Sequence, residues 1–171
     1  MGQEEAGRAV RRAVGADAGA LTRLRALMLE EMGTPVGGQD AEWRKAAEAW
    51  FAERLADTGG FAAFVMEDPE LGVVCSAVGM IERRAPGPSN LTGTQGRVFN
   101  ISTDVRRRRR GHARACLAAL LAWFRDETEA KVIELNATGD GAELYRATGF
   151  VAPRFPALQL RISESPLTPR P

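Results

Sequence analysis

Lysine is almost missing from this 171-residue chain: Lys45 and Lys131 are the only two, so 21 of the 23 basic residues are arginine. Arginine runs therefore arise readily here, and 22 acidic residues bring the net charge to +1. A balance that close to zero excludes the domain-wide basic footprint of a nucleic-acid binder. No apolar run approaches the roughly 20 residues that span a bilayer. The opening "MGQEEAGRAVRRAV" lacks the apolar stretch of a signal peptide, so a cytoplasmic protein off the membrane is expected. Gly2 follows Met1, but Ala6 stands where a myristoylation signal needs Ser or Thr. The two cysteines, Cys75 and Cys116, lie in apolar stretches without a Cys or His at metal spacing. They read as buried free thiols and not as a disulfide or a zinc site. Histidine and tyrosine occur once each, as His112 and Tyr145.

At 44% hydrophobic and 26% charged, the chain has the material for one compact domain over 1–171. Its Pro-rich end makes 163–171 a flexible tail. "AVRRAV" (9–14) predicts a first strand, followed by a helix capped by Asp17, with Leu21, Leu24, Met28 and Met32 on one face and Gly33 closing it. A second helix is expected from Asp40, its cap, to Gly59 and Gly60, with Trp43, Ala47, Trp50, Phe51 and Leu55 facing the core. "FAAFVMED" and "GVVCSAVGMIER" are strands joined by the turn "PELG". "RAPGPSNLTGTQG" follows as a mobile loop, and "RVFNISTDV" as a fourth strand. A helix from Gly111, a strand "KVIELNA", a short helix in "GDGAELYRATGF" ended by Gly149 and a last strand "PALQLRI" complete the order. The strand-helix-strand unit is long enough for a right-handed parallel crossover, with antiparallel neighbours elsewhere.

Chemistry concentrates at "RRRRRGHARACLAALLAWF", Arg106 to Phe124. Leu117, Leu120, Leu121 and Phe124 recur at helical spacing and predict a packed face. The first turn of such a helix leaves N–H groups without intrahelical acceptors, and the macrodipole adds positive charge there. Gly111 and Ala113 keep bulk away from those groups, and Arg108, Arg109 and Arg110 supply charge, which suits a phosphate. Arg106 and Arg107 read as a solvated basic turn. His112 and Arg114 lie in the same first turn, and His112 is expected to act through its backbone N–H. Neither "GxGxxG" nor "GxxxxGK[ST]" is present.

The pattern R-x-x-G-x-A at Arg108 to Ala113, after a strand and before an apolar helix, resembles the acetyl-CoA pyrophosphate loop of the GNAT superfamily of N-acetyltransferases. "NISTDV" is similar to that family's fourth strand and "LYRATGF" (144–150) to its "LYxxxGF" segment. The likeness runs from about residue 9 to residue 162. It implies an α/β (α+β) fold with a mixed central sheet of six to seven strands. That sheet would be mostly antiparallel, splayed where the fourth and fifth strands run parallel, and carry helices on both faces. It further implies acetyl-CoA as acyl donor, with pantetheine running beside the backbone of Ile101, Ser102 and Thr103, and Tyr145 protonating the leaving thiolate. Asn136, at the end of the fifth strand, is placed to reach the cofactor, whereas Thr138 stands where many relatives carry Asn.

Acetyl transfer to an amine also needs a proton acceptor. The fourth strand offers Arg97, Phe99 and Asn100 and no carboxylate, leaving Glu82, Glu134 or a water chain as the base. Glu30, Glu31, Glu42 and Glu48 either greet a cationic amine or face solvent. The acceptor is expected to be a primary amine of a small molecule or peptide, and a homodimer is an allowed assembly. A non-catalytic acyl-CoA sensor on the same scaffold is the alternative.

Overall fold

The computed structural model describes residues 9–162, so the expected tail at 163–171 and the N-terminal signal considered above lie outside the described residues. These residues divide into two compact units on either side of the Asn136–Ala137 junction.

The first unit is built on a five-stranded sheet in sequence order: β1 (Val10–Arg12), β2 (Phe61–Asp68), β3 (Gly72–Arg83), β4 (Thr94–Thr103) and β5 (Ile133–Glu134). Neighbours are antiparallel except β4 and β5, which run parallel. β2 and β3 coincide with the two apolar runs read from the sequence, because Pro69 and Gly72 break the run between them. The stretch read as a mobile loop carries hydrogen bonds of its own between β3 and β4. In it Arg84 N–H donates to Gly93 O at 2.9 Å, and Gly87 and Asn90 exchange a bridge.

Successive side chains along a strand point to opposite faces, and both faces of this sheet are covered. Val78 pairs with Phe99, and these pack with Leu21 and Leu24 of α1 (Ala18–Glu31) and Phe51 of α2 (Glu42–Ala56). Gly79 and Gly96 belong to the other face and lie under α3 (His112–Glu127). A Cβ at Gly79 would lie 2.8 Å from the Phe124 ring, and one at Gly96 would lie 2.6 Å from it. The two glycines make the socket that lets the helix settle on the sheet. Leu117, Leu120 and Phe124 are fully buried there, each worth about 1.5–3 kcal/mol relative to exposure.

Several expectations need correction. Asp17 is the N-cap residue of α1, as expected, but its side chain makes no capping bond to that helix. It closes a 3-10 turn (Gly15–Asp17) by accepting Val14 N–H at 2.8 Å, and it binds Arg11 at 2.8 Å. Asp40 is not the cap of α2, which begins after Ala41. On the predicted core face of α2 only Phe51 is fully buried, and Trp50 is 38% exposed.

The sheet has five strands among the described residues, not six to seven. β5 is two residues long because it meets β4 only at Gly96↔Ile133 and Arg97↔Glu134. "PALQLRI" alternates as a strand should, yet it forms none, and Leu158 is 98% exposed. Strand propensity describes a fit to a pleated, half-buried surface, and without a ladder partner the alternation has nothing to act on. Among the described residues the second unit therefore contains one 3-10 turn (Gly139–Gly141), one short helix α4 (Ala142–Ala147), and irregular chain to Ile162.

Candidate active site

Helix α3 begins where the sequence placed it, and its N-cap Gly111 has φ +79°. Glycine tolerates that left-handed backbone without steric cost, and nothing lies within 4 Å of where a Cβ would stand. No side chain caps the helix, and the first intrahelical bond runs from Ala115 N–H to Gly111 O at 3.0 Å. The N–H groups of Ala113 and Arg114, which come before the first donor of the helix, have no intrahelical acceptor. Arg109 (φ +61°) and Arg110 flank the helix start, and neither they nor Arg114 hold a carboxylate among the described residues. His112 is the first residue of the helix and is half-buried. Open N–H groups, the helix dipole and uncommitted guanidinium groups form an environment that fits an anionic pyrophosphate.

The five arginines divide by partner. Arg106 holds the buried Asp104 through Nε at 2.9 Å and Nη2 at 2.8 Å, while Asp104 also accepts Arg106 N–H at 3.1 Å and Arg23 at 3.3 Å. Arg107 binds Asp68 and Glu70 across the β2–β3 turn, with Asp68 at 2.5 Å and Glu70 at 2.7 Å. The solvated-turn reading of Arg106 and Arg107 is therefore corrected. Both brace the loop, and the Arg106 and Arg107 guanidinium groups hold the carboxyls of Asp104 and Asp68 well below the usual range, Asp68 to about 2. Arg108 donates from Nε to Thr103 O at 3.0 Å and pairs with Glu31, tying the loop to β4 and α1.

β4 reaches this loop through a bulge that sequence reasoning missed. Its register against β3 shifts between Ser76↔Ser102 and Val78↔Phe99, so Asn100 and Ile101 occupy one step more than their partner strand supplies. Asn100 has φ +52°, which asparagine tolerates better than other side chains, and an Asn amid a β-branched run was the signal available. Ser76 Oγ donates to Asn100 O at 3.1 Å. On its other side β4 has β5 beside Gly96 and Arg97 only. From Val98 to Thr103, which includes Ile101, Ser102 and Thr103, that edge has no strand beside it among the described residues.

The two base candidates are brought together, but with arginine between them. Arg97 approaches Glu82 at 3.3 Å and Glu134 at 3.6 Å, and Arg84 approaches Glu134 at 3.1 Å and Glu82 at 3.5 Å. Carboxylates so engaged have few free lone pairs for a substrate proton. Asn136 is exposed and lies two residues beyond the end of β5, not on it.

In the second unit Tyr145 stands on α4, half-buried, its ring edge-to-face with Phe150 at 6.1 Å. A Cβ at Gly141 would lie 2.8 Å from the tyrosine ring, so that glycine makes room for it. Burial pushes the phenol's pKa up, which keeps its proton available as a donor. Gly149 at φ +102° ends the segment, as its glycine suggested.

Solved structures with this fold include one described as a "predicted acetyltransferase with acetyl-CoA" from Clostridium acetobutylicum. It is 22% identical, has a TM-score of 0.78, and aligns over 90% of this chain and 96% of its own. A GCN5-related N-acetyltransferase from Ralstonia eutropha is 26% identical with a TM-score of 0.72, over 90% and 99% of the two chains. Glucosamine-6-phosphate N-acetyltransferase from Arabidopsis thaliana is 14% identical with a TM-score of 0.66, over 92% and 99%. No curated protein sequence matches the chain. The profile of the Acetyltransferase (GNAT) family matches residues 22–150, which takes in the bulged strand, the basic loop and the Tyr145 helix, and the chain belongs to that family.

Proposed function

We propose that this protein is an N-acetyltransferase that moves an acetyl group from acetyl-CoA directly to a primary amine of a small molecule or peptide, with both substrates bound together. The observation that carries the proposal is the open, uncapped start of α3 at Gly111, with Arg109 and Arg110 uncommitted beside it. The family's acyl donor is acetyl-CoA, and this site fits its pyrophosphate. The family match crosses the junction at Asn136–Ala137, which supports reading both units as one catalytic domain.

Each residue then has a defined task. The N–H groups of Gly111 to Arg114 hold the pyrophosphate, and Arg109, Arg110 and Arg114 offset its charge. Arg108 fastens the loop to Thr103 and Glu31. Ile101, Ser102 and Thr103 offer the unpaired edge of β4 to the pantetheine arm, since backbone groups without a ladder partner need another. Asn136 adds a side-chain amide contact to the cofactor. Tyr145 gives its proton to the departing thiolate; a phenol is protonated at neutral pH, and burial raises its pKa further. Because Glu82 and Glu134 are engaged by Arg84 and Arg97, the amine's proton leaves through water.

Calorimetric titration with acetyl-CoA tests the proposal. Wild type should bind one equivalent per chain, and Gly111→Asp should bind far more weakly. Equal affinity of the two proteins would remove the cofactor from the start of α3.

A further inference from the structure

Among the described residues, one cation near the bulged strand has no counter-ion. Arg25, on α1, is half-buried, and its one hydrogen bond runs from Nη1 to Asn100 Oδ1 at 3.3 Å. Elsewhere in this unit the arginines without a carboxylate among the described residues are exposed (Arg83, Arg109, Arg110 and Arg114) or, like Arg44, stacked on an aromatic ring, here Trp43 at 5.1 Å. Arg25 holds none among the described residues. Burial lowers its pKa, so its surroundings disfavour the charge that they leave unpaired. Its Nε and Nη2 have no hydrogen-bond partner among the described residues, and the side chain is only half-buried. A partly desolvated guanidinium with free, reachable N–H groups is built for an oxyanion, which it binds through parallel hydrogen bonds.

The surroundings define what carries that oxyanion. Asn100 is the bulge residue, and its chain neighbour Phe99 turns a half-buried ring to Trp50 at 6.1 Å. Trp50, which also stacks edge-to-face on Phe61 at 5.7 Å, keeps over a third of its surface open. Arg25 and Trp50 thus meet β4 at consecutive residues, Asn100 and Phe99. The cofactor's pyrophosphate is a poor occupant of Arg25. From Asn100 to the end of β4 is about 10 Å of strand at roughly 3.3 Å per residue, and the turn Val105–Arg107 still intervenes before Gly111.

We infer that Arg25 binds a carboxylate or phosphate on the acceptor itself, whose apolar body lies on Trp50 and Phe99. The acceptor would then be a small amine bearing an anionic group, and not a polycation. The inference rests on the transfer reading above, and its test separates the two.

Calorimetry on CoA-loaded protein would compare 3-phenylpropionate and phenyl phosphate with neutral 3-phenylpropanamide, and turnover would compare phenylalanine with phenylalanine amide. One or both anions should bind, and the stronger identifies carboxylate or phosphate as the preferred group. The amide should bind at least tenfold more weakly. Arg25→Gln should weaken the anion roughly 10- to 100-fold, as expected for a charge-assisted contact. Arg25→Lys should recover part of the loss, and CoA affinity should be unchanged in both variants. If Arg25→Gln instead weakens CoA, the residue belongs to the cofactor site and the inference fails. Equal binding of anion and amide, or a silent Arg25→Gln, overturns it while leaving the transfer reading intact. Anion binding that Arg25→Gln weakens, with no product from any amine of a broad panel, would uphold the oxyanion site and sink the transfer reading.

Discussion

Gly96→Ala should destabilise this protein through one contact. The new methyl carbon would lie 2.6 Å from Phe124 Cε1 and 3.0 Å from both Cδ1 and Cζ. Such separations are far inside van der Waals contact, so the ring has to move. It has little room to do so, because Phe124 is fully buried, and the second glycine of its socket, Gly79, is equally close at 2.8 Å. Overpacking of this kind costs about 1–3 kcal/mol. At roughly 2–4 °C per kcal/mol for a chain of this size, the melting temperature should fall by about 2–12 °C. Urea unfolding provides the assay: the midpoint should drop while the slope stays constant. Phe124→Leu should cost stability alone through the cavity it leaves, yet cost less when combined with Gly96→Ala, giving a favourable coupling of at least about 0.5 kcal/mol. An unchanged midpoint in Gly96→Ala, or strict additivity in the double variant, would refute the packing argument.

Three further outcomes follow from the site. Tyr145→Phe should lower kcat roughly 10- to 1000-fold with little change in KM for acetyl-CoA, since the hydroxyl acts on charge that appears only in the transition state. Steady-state kinetics on an identified amine decides it, and a lowered affinity with kcat intact would make the hydroxyl a ground-state contact. Gly111→Asp should abolish the rise in melting temperature that saturating CoA gives the wild type, while leaving the unliganded protein folded by circular dichroism. The depressed carboxyls of Asp104 and Asp68 stabilise the fold fully above their unfolded pKa near 4. That contribution is lost as pH falls through the folded values, near 2 for Asp68 and lower for Asp104. Asp104→Asn should therefore be less stable than wild type at pH 6 and show a shallower decline in melting temperature from pH 4 to pH 2.

The parts of this protein legible in its sequence are those whose cause is local. β2 and β3 appear in full because an apolar run broken by Pro69 and Gly72 is a local signal, and α3 follows from its leucine spacing and Gly111. What escaped depends on partners distant in the chain. Arg107 is 39 residues from Asp68, so nothing near the arginine run announces that it is paired. The socket for Phe124 joins glycines from two strands that only the register brings together. Trp50 has the spacing of a core residue, but its place is set by ring contacts with Phe61 and Phe99, which the sequence keeps 11 and 49 residues away. The bulge at Asn100 left one trace, an asparagine where a strand prefers branched residues, and with it went the chance to foresee Arg25.

The central claim is acetyl transfer at the start of α3, and product analysis tests it most directly. Purified protein, acetyl-CoA and a panel of primary amines would be followed for CoA thiol release and for the mass of the acetylated amine. The account predicts at least one amine acetylated in one-to-one stoichiometry with CoA released, with the rate collapsing in Gly111→Asp. Tight acetyl-CoA binding with no acetylated product from any amine would contradict it and leave the chain a cofactor sensor on an enzyme's scaffold.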